Sequence, residues 1–204
     1  MQHCLLVTGV ACGFALDIKF PGADVRRLGL AATLHDIGKA HIPLTILDKP
    51  GRLDAREEER MRRHPVIGYE LLKDVPGISS DSIDGVRHHH EYLDGTGYPD
   101  GLKGVRIRPL ARLLAVCDVY AALCSPRPHR PARSTRTAMA DVLLLAEQGR
   151  LDHHYAECLL SLSFYPTGSV VELSDGSTGV VVATPGSRND LNSPARPVVA
   201  LLTD

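Results

Sequence analysis

The stretch LARLLAVCDVYAALC, residues 110–124, constrains this chain more than any other. It is apolar on nearly every side, as in a helix enclosed by other helices, yet Asp118 stands in its middle. An unpaired carboxylate there would cost several kcal/mol to bury. The fold must therefore bring Asp118 a cation, either a basic side chain or a metal. Arg112 on the same helix is six residues away and off its face.

Patterns on either side give the rest of the body. Residues 2–18 read as a buried helix interrupted by Gly9 and Gly13. Asp24 is placed to cap a second, with Val25, Leu28, Ala31, Ala32 and His35 near one face and Gly38 at its end. Asp54 starts a charged helix through REEERMRR, and Pro65 marks a break or a new first turn just after His64. A further helix runs from about Asp81 into His88, His89 and His90. Pro109 opens the apolar helix, and two helical patterns follow between Ser134 and Leu162, separated by Gly149-Arg150. From Tyr165 the period changes to two. VVELS and STGVVVA flank Asp175-Gly176 as a hairpin, and PARPVVALL supplies a third run. The fold class is mainly α, a helical body over residues 1–163 with a small β unit over 164–204.

Composition removes several functions. The 23 basic and 24 acidic residues leave a net charge of -1, so no global field draws DNA or a membrane surface. Tryptophan is absent, which argues against stacking platforms for single strands. The five cysteines include no C-x-x-C pair and read as buried thiols of a reducing compartment. The apolar start lacks the basic region of a secretory signal and is too short to span a bilayer. A cytoplasmic protein without a membrane span is expected.

Chemistry concentrates in a few residues. His35-Asp36 closes a helix, and a carboxylate can share its two oxygens between two divalent ions. His3, His64, His89 and His90 are the other imidazoles available to join it. Neighbours on a helix point about 100° apart. His89 and His90 can serve one ion only at a helix end, and at least one of the three consecutive histidines should face away. The turn DGTGYP follows, with Gly95 and Gly97 where positive φ is favoured and Tyr98 pushed toward extended backbone by Pro99. SPRPHRPARSTR carries Arg127, Arg130, Arg133 and Arg136 without an acid, a suitable surface for phosphates or simply a solvated basic loop.

HDIGK (35–39), IPLTILDKPGRL, MRRH (61–64), HHEYLDGTGYPDGL (89–102) and LARLLAVCDVYAAL with RPHR (127–130) together resemble the HD-GYP domain, a subset of the HD metal-dependent phosphohydrolases. The resemblance covers about residues 1–163 and implies an HD-type helical bundle. It implies a phosphodiesterase that hydrolyses cyclic di-GMP to pGpG, in many members on to GMP, through hydroxide activated by two metal ions. Fe or Mn are the expected ions, with Zn, Co or Ni as alternatives.

Carried over from the family, Asp36 is the bridging ligand. His3, His35 and Asp118 serve one ion, and His64, His89 and His90 the other. Lys39 contacts the scissile phosphate, Arg127 and Arg130 hold substrate phosphates, and Gly97 and Tyr98 form the pocket wall. Members with three ions carry a glutamate one turn before the His3 position. That position falls before Met1, so the resemblance implies two ions or a start that trims the first helix. His129 replaces a frequent tyrosine, and Tyr92 a common basic residue. The GYP loop in this family also docks GGDEF-domain proteins. A receptor or interaction module without turnover, and an HD phosphohydrolase of another cyclic nucleotide, are the competing readings. The β extension is expected to act as a packing lid or a homodimer contact.

Overall fold

The computed structural model describes residues 2–126, 132–159, 170–183 and 198–201. Nine α-helices appear among them: α1 (Gln2–Asp17), α2 (Gly22–Leu34), α3 (Leu44–Leu47), α4 (Ala55–Met61), α5 (His64–Leu72), α6 (Ser80–His88), α7 (Pro109–Cys124), α8 (Thr135–Glu147) and α9 (His153–Leu159). Short 3-10 segments cover Ile37–His41 and Gly104–Arg106. The chain divides into two compact units, Met1–Ala156 and Glu157–Asp204. The boundary expected at 163/164 lies outside the described residues. Among those described, no helix is long and apolar enough to cross a membrane.

The first unit is built on α7. Its Ala111, Leu113, Leu114, Val116, Cys117 and Ala121 are fully buried, as expected of a helix apolar on most faces. α1 lies against both α2 and α7, burying Val7, Ala11, Phe14 and Ala15. Each large side chain enclosed this way contributes about 1.5–3 kcal/mol. α6 joins α2, α5 and α7. Leu72, Ile83 and Val86 form a second core there with Leu34, Ile37, Tyr69 and Ile78.

Local chemistry sets most helix ends. Asp54 caps α4 by accepting from the Arg56 and Glu57 amides, while Glu57 Oε2 accepts from the Asp54 amide at 2.8 Å, a reciprocal box. Ser79 and Ser134 cap α6 and α8 through their hydroxyls. Two expectations need correction. Asp24 does not cap α2, which begins at Gly22 behind Pro21; Asp24 lies in the first turn and accepts from Arg27 at 2.6 Å. Gly38 does not end that helix either, since α2 stops at Leu34. Gly38 sits inside the 3-10 segment because a Cβ would lie 2.0 Å from the His64 carbonyl oxygen.

In the second unit, β1 (Val170–Glu172), β2 (Thr178–Ala183) and β3 (Val198–Leu201) form an antiparallel sheet in the order β1-β2-β3. Val170 faces Val180 across the hairpin, and Gly176 turns it with φ 83°. Asp175 steadies the turn by accepting from the Ser177 amide at 2.9 Å.

Candidate metal centre

Four elements of the first unit converge on one carboxylate. Asp36 follows α2, where the chain turns into the 3-10 segment. Its Oδ2 lies 3.4 Å from His35 Nε2 and its Oδ1 3.3 Å from His64 Nε2. On the first side, His3 from α1 reaches Asp118 of α7 at 2.8 Å, and His35 Nε2 lies 3.7 Å from the same oxygen. On the second side, His64 opens α5, and His89 and His90 follow the end of α6. The donor atoms of His3, His35 and Asp118 lie within 4.8 Å of one another, as do those of His64, His89 and His90.

Backbone carbonyls fix the imidazoles. His35, His64 and His89 each donate from Nδ1 to the carbonyl three residues earlier, Ala32 at 2.7 Å, Met61 at 2.8 Å and Val86 at 2.8 Å. A carbonyl only accepts, so each Nδ1 carries the proton and each Nε2 presents a lone pair to the centre. His64 Nε2 and His89 Nε2 face each other at 3.3 Å. Two lone pairs at that distance need a cation between them. His35 Nε2 and Asp36 Oδ1 are buried without a hydrogen-bond partner. These residues fit divalent ions at both positions.

The electrostatics agree. Burial holds His64, His89 and His90 below the ordinary imidazole value, His90 at about 4, so all three stay neutral donors. Burial also opposes charge on Asp36 and Asp118. It is outweighed by the His35 hydrogen bond and Lys39 around Asp36, and by the His3 hydrogen bond and His35 around Asp118, so both remain carboxylates. His35 is pushed up despite burial by Asp36 and Asp118, a sign that the position attracts positive charge.

The rim is ordered as well. Lys39 Nζ donates to Asp36 Oδ2 at 2.6 Å. Tyr98 stacks on His90 with ring centroids 4.7 Å apart, and the Arg62 guanidinium lies over the tyrosine at 5.0 Å. Gly95 takes the positive φ expected of it, at 84°, whereas Gly97 does not. Gly97 is required by contact: a Cβ would lie 2.3 Å from the Tyr92 amide nitrogen and 2.6 Å from the His90 carbonyl oxygen. The Tyr98–Pro99 peptide is cis. His88 turns away from the centre, with Nδ1 3.1 Å from Asp84 and Nε2 2.9 Å from Asp100. Arg127 and Arg130 lie outside the described residues.

Three residues here carried no role in the sequence reading. Glu91 is 2% exposed, and its carboxylate accepts from the Asp100 amide at 2.6 Å and the Leu102 amide at 3.0 Å, tying the loop to the histidines. An acid directly after two candidate ligands and before a glycine turn was the available signal. Arg62 is visible only as one of several arginines in REEERMRRH. Cys4, read as a packing thiol, has its sulfur near His35 and Asp36, and of the five cysteines only Cys117 is fully buried.

Helices converging on a histidine-aspartate centre make a scaffold that can hold divalent ions. Residues 2–154 match the family described as HD domain, and the chain belongs to that family. It is 39% identical over 187 residues to the cyclic di-GMP phosphodiesterase PA4108 of Pseudomonas aeruginosa, covering 91% of this chain and 44% of that protein. It is 39% identical over 151 residues to the 3'3'-cGAMP-specific phosphodiesterase 1 of Vibrio cholerae, covering 74% and 35%. The chain thus spans less than half the length of these relatives. Among solved structures, Bd1817, an HDG"Y"P protein from Bdellovibrio bacteriovorus, shares the fold with a TM-score of 0.63 at 23% identity, over 77% of this chain and 50% of that one.

Proposed function

We propose that this chain is a metal-dependent phosphodiesterase that hydrolyses cyclic di-GMP, with pGpG or GMP as the final product. The observation that carries the proposal is the pair of three-donor clusters on either side of Asp36, with the Nε2 lone pairs of His35, His64 and His89 turned inward. His3, His35 and Asp118 would hold one ion, His64, His89 and His90 the other, and Asp36 would serve both. This donor set of imidazole and carboxylate favours Fe or Mn, with Zn, Co or Ni as further candidates, over Mg. When bound, the ions supply Lewis acidity, which makes water a nucleophile at neutral pH and offsets charge developing at phosphorus.

The chain's own groups do the remaining work. Lys39 stands at the rim with Asp36 fixing its ammonium, so it is the cation at hand for a phosphate oxygen. Tyr98, held between His90 and Arg62, forms a rigid wall for the substrate. Gly97 keeps that wall against the backbone of His90 and Tyr92. Arg127 and Arg130 would take the phosphate that is not being cleaved. The loop of Gly97 and Tyr98 is the surface at which a GGDEF-domain protein would dock, and the β extension would serve as a packing lid or a homodimer contact.

A second reading has support in the Vibrio relative, whose name specifies 3'3'-cGAMP. The test is purified protein loaded with Mn(II) or Fe(II) under reducing conditions, given each cyclic dinucleotide separately, with products resolved by chromatography. Linear pGpG or GMP from cyclic di-GMP is the expected result. Turnover of 3'3'-cGAMP alone would transfer the assignment to that substrate. Metal-loaded protein that cleaves neither would be a nucleotide-binding module.

A further inference from the structure

α1 brings a second donor to the centre beside His3. The Cys4 sulfur forms a third cluster with a His35 ring nitrogen and an Asp36 carboxylate oxygen, all within 4.8 Å of one another. This is more than a cysteine on a helix. His35 is 1% exposed, its Nε2 has no hydrogen-bond partner, and it belongs to this cluster as well as to that of His3 and Asp118. The first turn of α1 is also pinned. Thr8 Oγ1 donates to the Cys4 carbonyl at 2.7 Å and lies 3.1 Å from Thr33 Oγ1 on α2. Cys4 is not in a disulfide, so its sulfur is uncommitted to one.

We propose that Cys4 is a sulfur donor to the ion held by His3, His35 and Asp118, and that it biases this position toward thiophilic ions such as Fe(II), Co(II) or Zn(II) over Mn(II). The assignment rests on the reading of those three residues as metal ligands. Among the described residues the other donors around the centre are nitrogen and oxygen, and Cys4 supplies a soft one. As the sulfur–metal bond forms, the thiol proton passes to solvent and no electron is transferred. The two halves of the centre then differ in kind: a mixed sulfur, nitrogen and oxygen position beside one dominated by imidazole.

The test uses the whole chain, stripped of metal and reloaded anaerobically with Co(II). Two ions per chain are expected, with an intense sulfur-to-cobalt charge-transfer absorption in the near ultraviolet. Cys4→Ser should lose that absorption and keep the weaker visible ligand-field bands. Cys12→Ser, altered on the same helix, should keep both. In competition for limiting sites, Cys4→Ser should bind a higher ratio of Mn(II) to Co(II) than wild type. Independently of any variant, Co(II) should protect Cys4 from iodoacetamide, read by peptide mass spectrometry. Wild type that holds two Co(II) ions without the absorption, or with Cys4 still alkylated, overturns the proposal. So does an absorption that survives in Cys4→Ser. A chain that takes up no cobalt instead overturns the reading of the centre itself, and the metal count separates the two failures.

Discussion

Asp36 is the residue on which both halves of the centre depend, because it faces His35 with one oxygen and His64 with the other. Asp36→Ala is expected to lose bound metal and turnover together. The fall in turnover should exceed about 100-fold, since merely disturbing a ligand's outer partners costs 10–100-fold. Metal analysis of the variant decides it, and two retained ions would show that the carboxylate does not bridge. Gly97 is decisive for a different reason. Gly97→Ala places a carbon 2.3 Å from the Tyr92 nitrogen, where backbone cannot give way cheaply. The variant should be destabilised by about 1–3 kcal/mol in urea unfolding. Equal stability would mean that the loop can lift from the histidines.

At the scale of elements, the segment from Glu91 to Leu102 behaves as one clasp. Its inner side is held by the buried Glu91 carboxylate, which accepts two amides of the loop. Glu91→Ala should cost about 1.5–3 kcal/mol, as hydrogen bonds to a charged group do. Hydrogen exchange at the Asp100 and Leu102 amides should become fast, and unchanged protection there would reject the clasp. Its outer side is held by Arg87 and His88 on Asp100. Arg87, followed by His88, lowers the Asp100 carboxyl from 3.8 to about 2. A depressed carboxyl contributes its stability above its unfolded value and loses it as pH falls through the folded one. The Asp100 share of the stability difference between wild type and Asp100→Asn should therefore be complete just above about pH 4 and shrink toward pH 2. The His88 share falls away as pH rises through the imidazole value that Asp84 and Asp100 hold up. A difference that grows on acidification below about pH 4 would contradict the pairing.

These two faces of one loop also show what the sequence could carry. Motif spacing identifies residue types, because phosphate chemistry restricts which side chains can serve it. The alternation of helical and two-residue periods reports which surfaces are buried, and so gives the helices and the hairpin. Neither reports how two backbones meet. Gly97 looks like a turn glycine by its neighbours, and only contact reveals that space, not φ, excludes a side chain. The Nδ1 tethers depend on where helices end relative to carbonyls, and the part played by Glu91 depends on a loop folding back on it.

For the whole molecule, every proposed ligand lies in Met1–Ala156, so metal should act on that unit first. Adding an ion at about 100 times its Kd should stabilise it by about 2.7 kcal/mol. Exchange of amides in the β1–β3 ladder should not respond, and a shift there would show that the ion reports on both units. Beneath this lies the contact between Gly38 and the His64 carbonyl. The 3-10 segment that follows Asp36 meets the start of α5 backbone to backbone, with no side chain between them. The span separating the two halves of the centre is thus set by a peptide ruler. Substitutions in the surrounding core can exchange one hydrophobic side chain for another and alter how firmly the protein holds together, while the spacing that the chemistry needs is inherited unchanged.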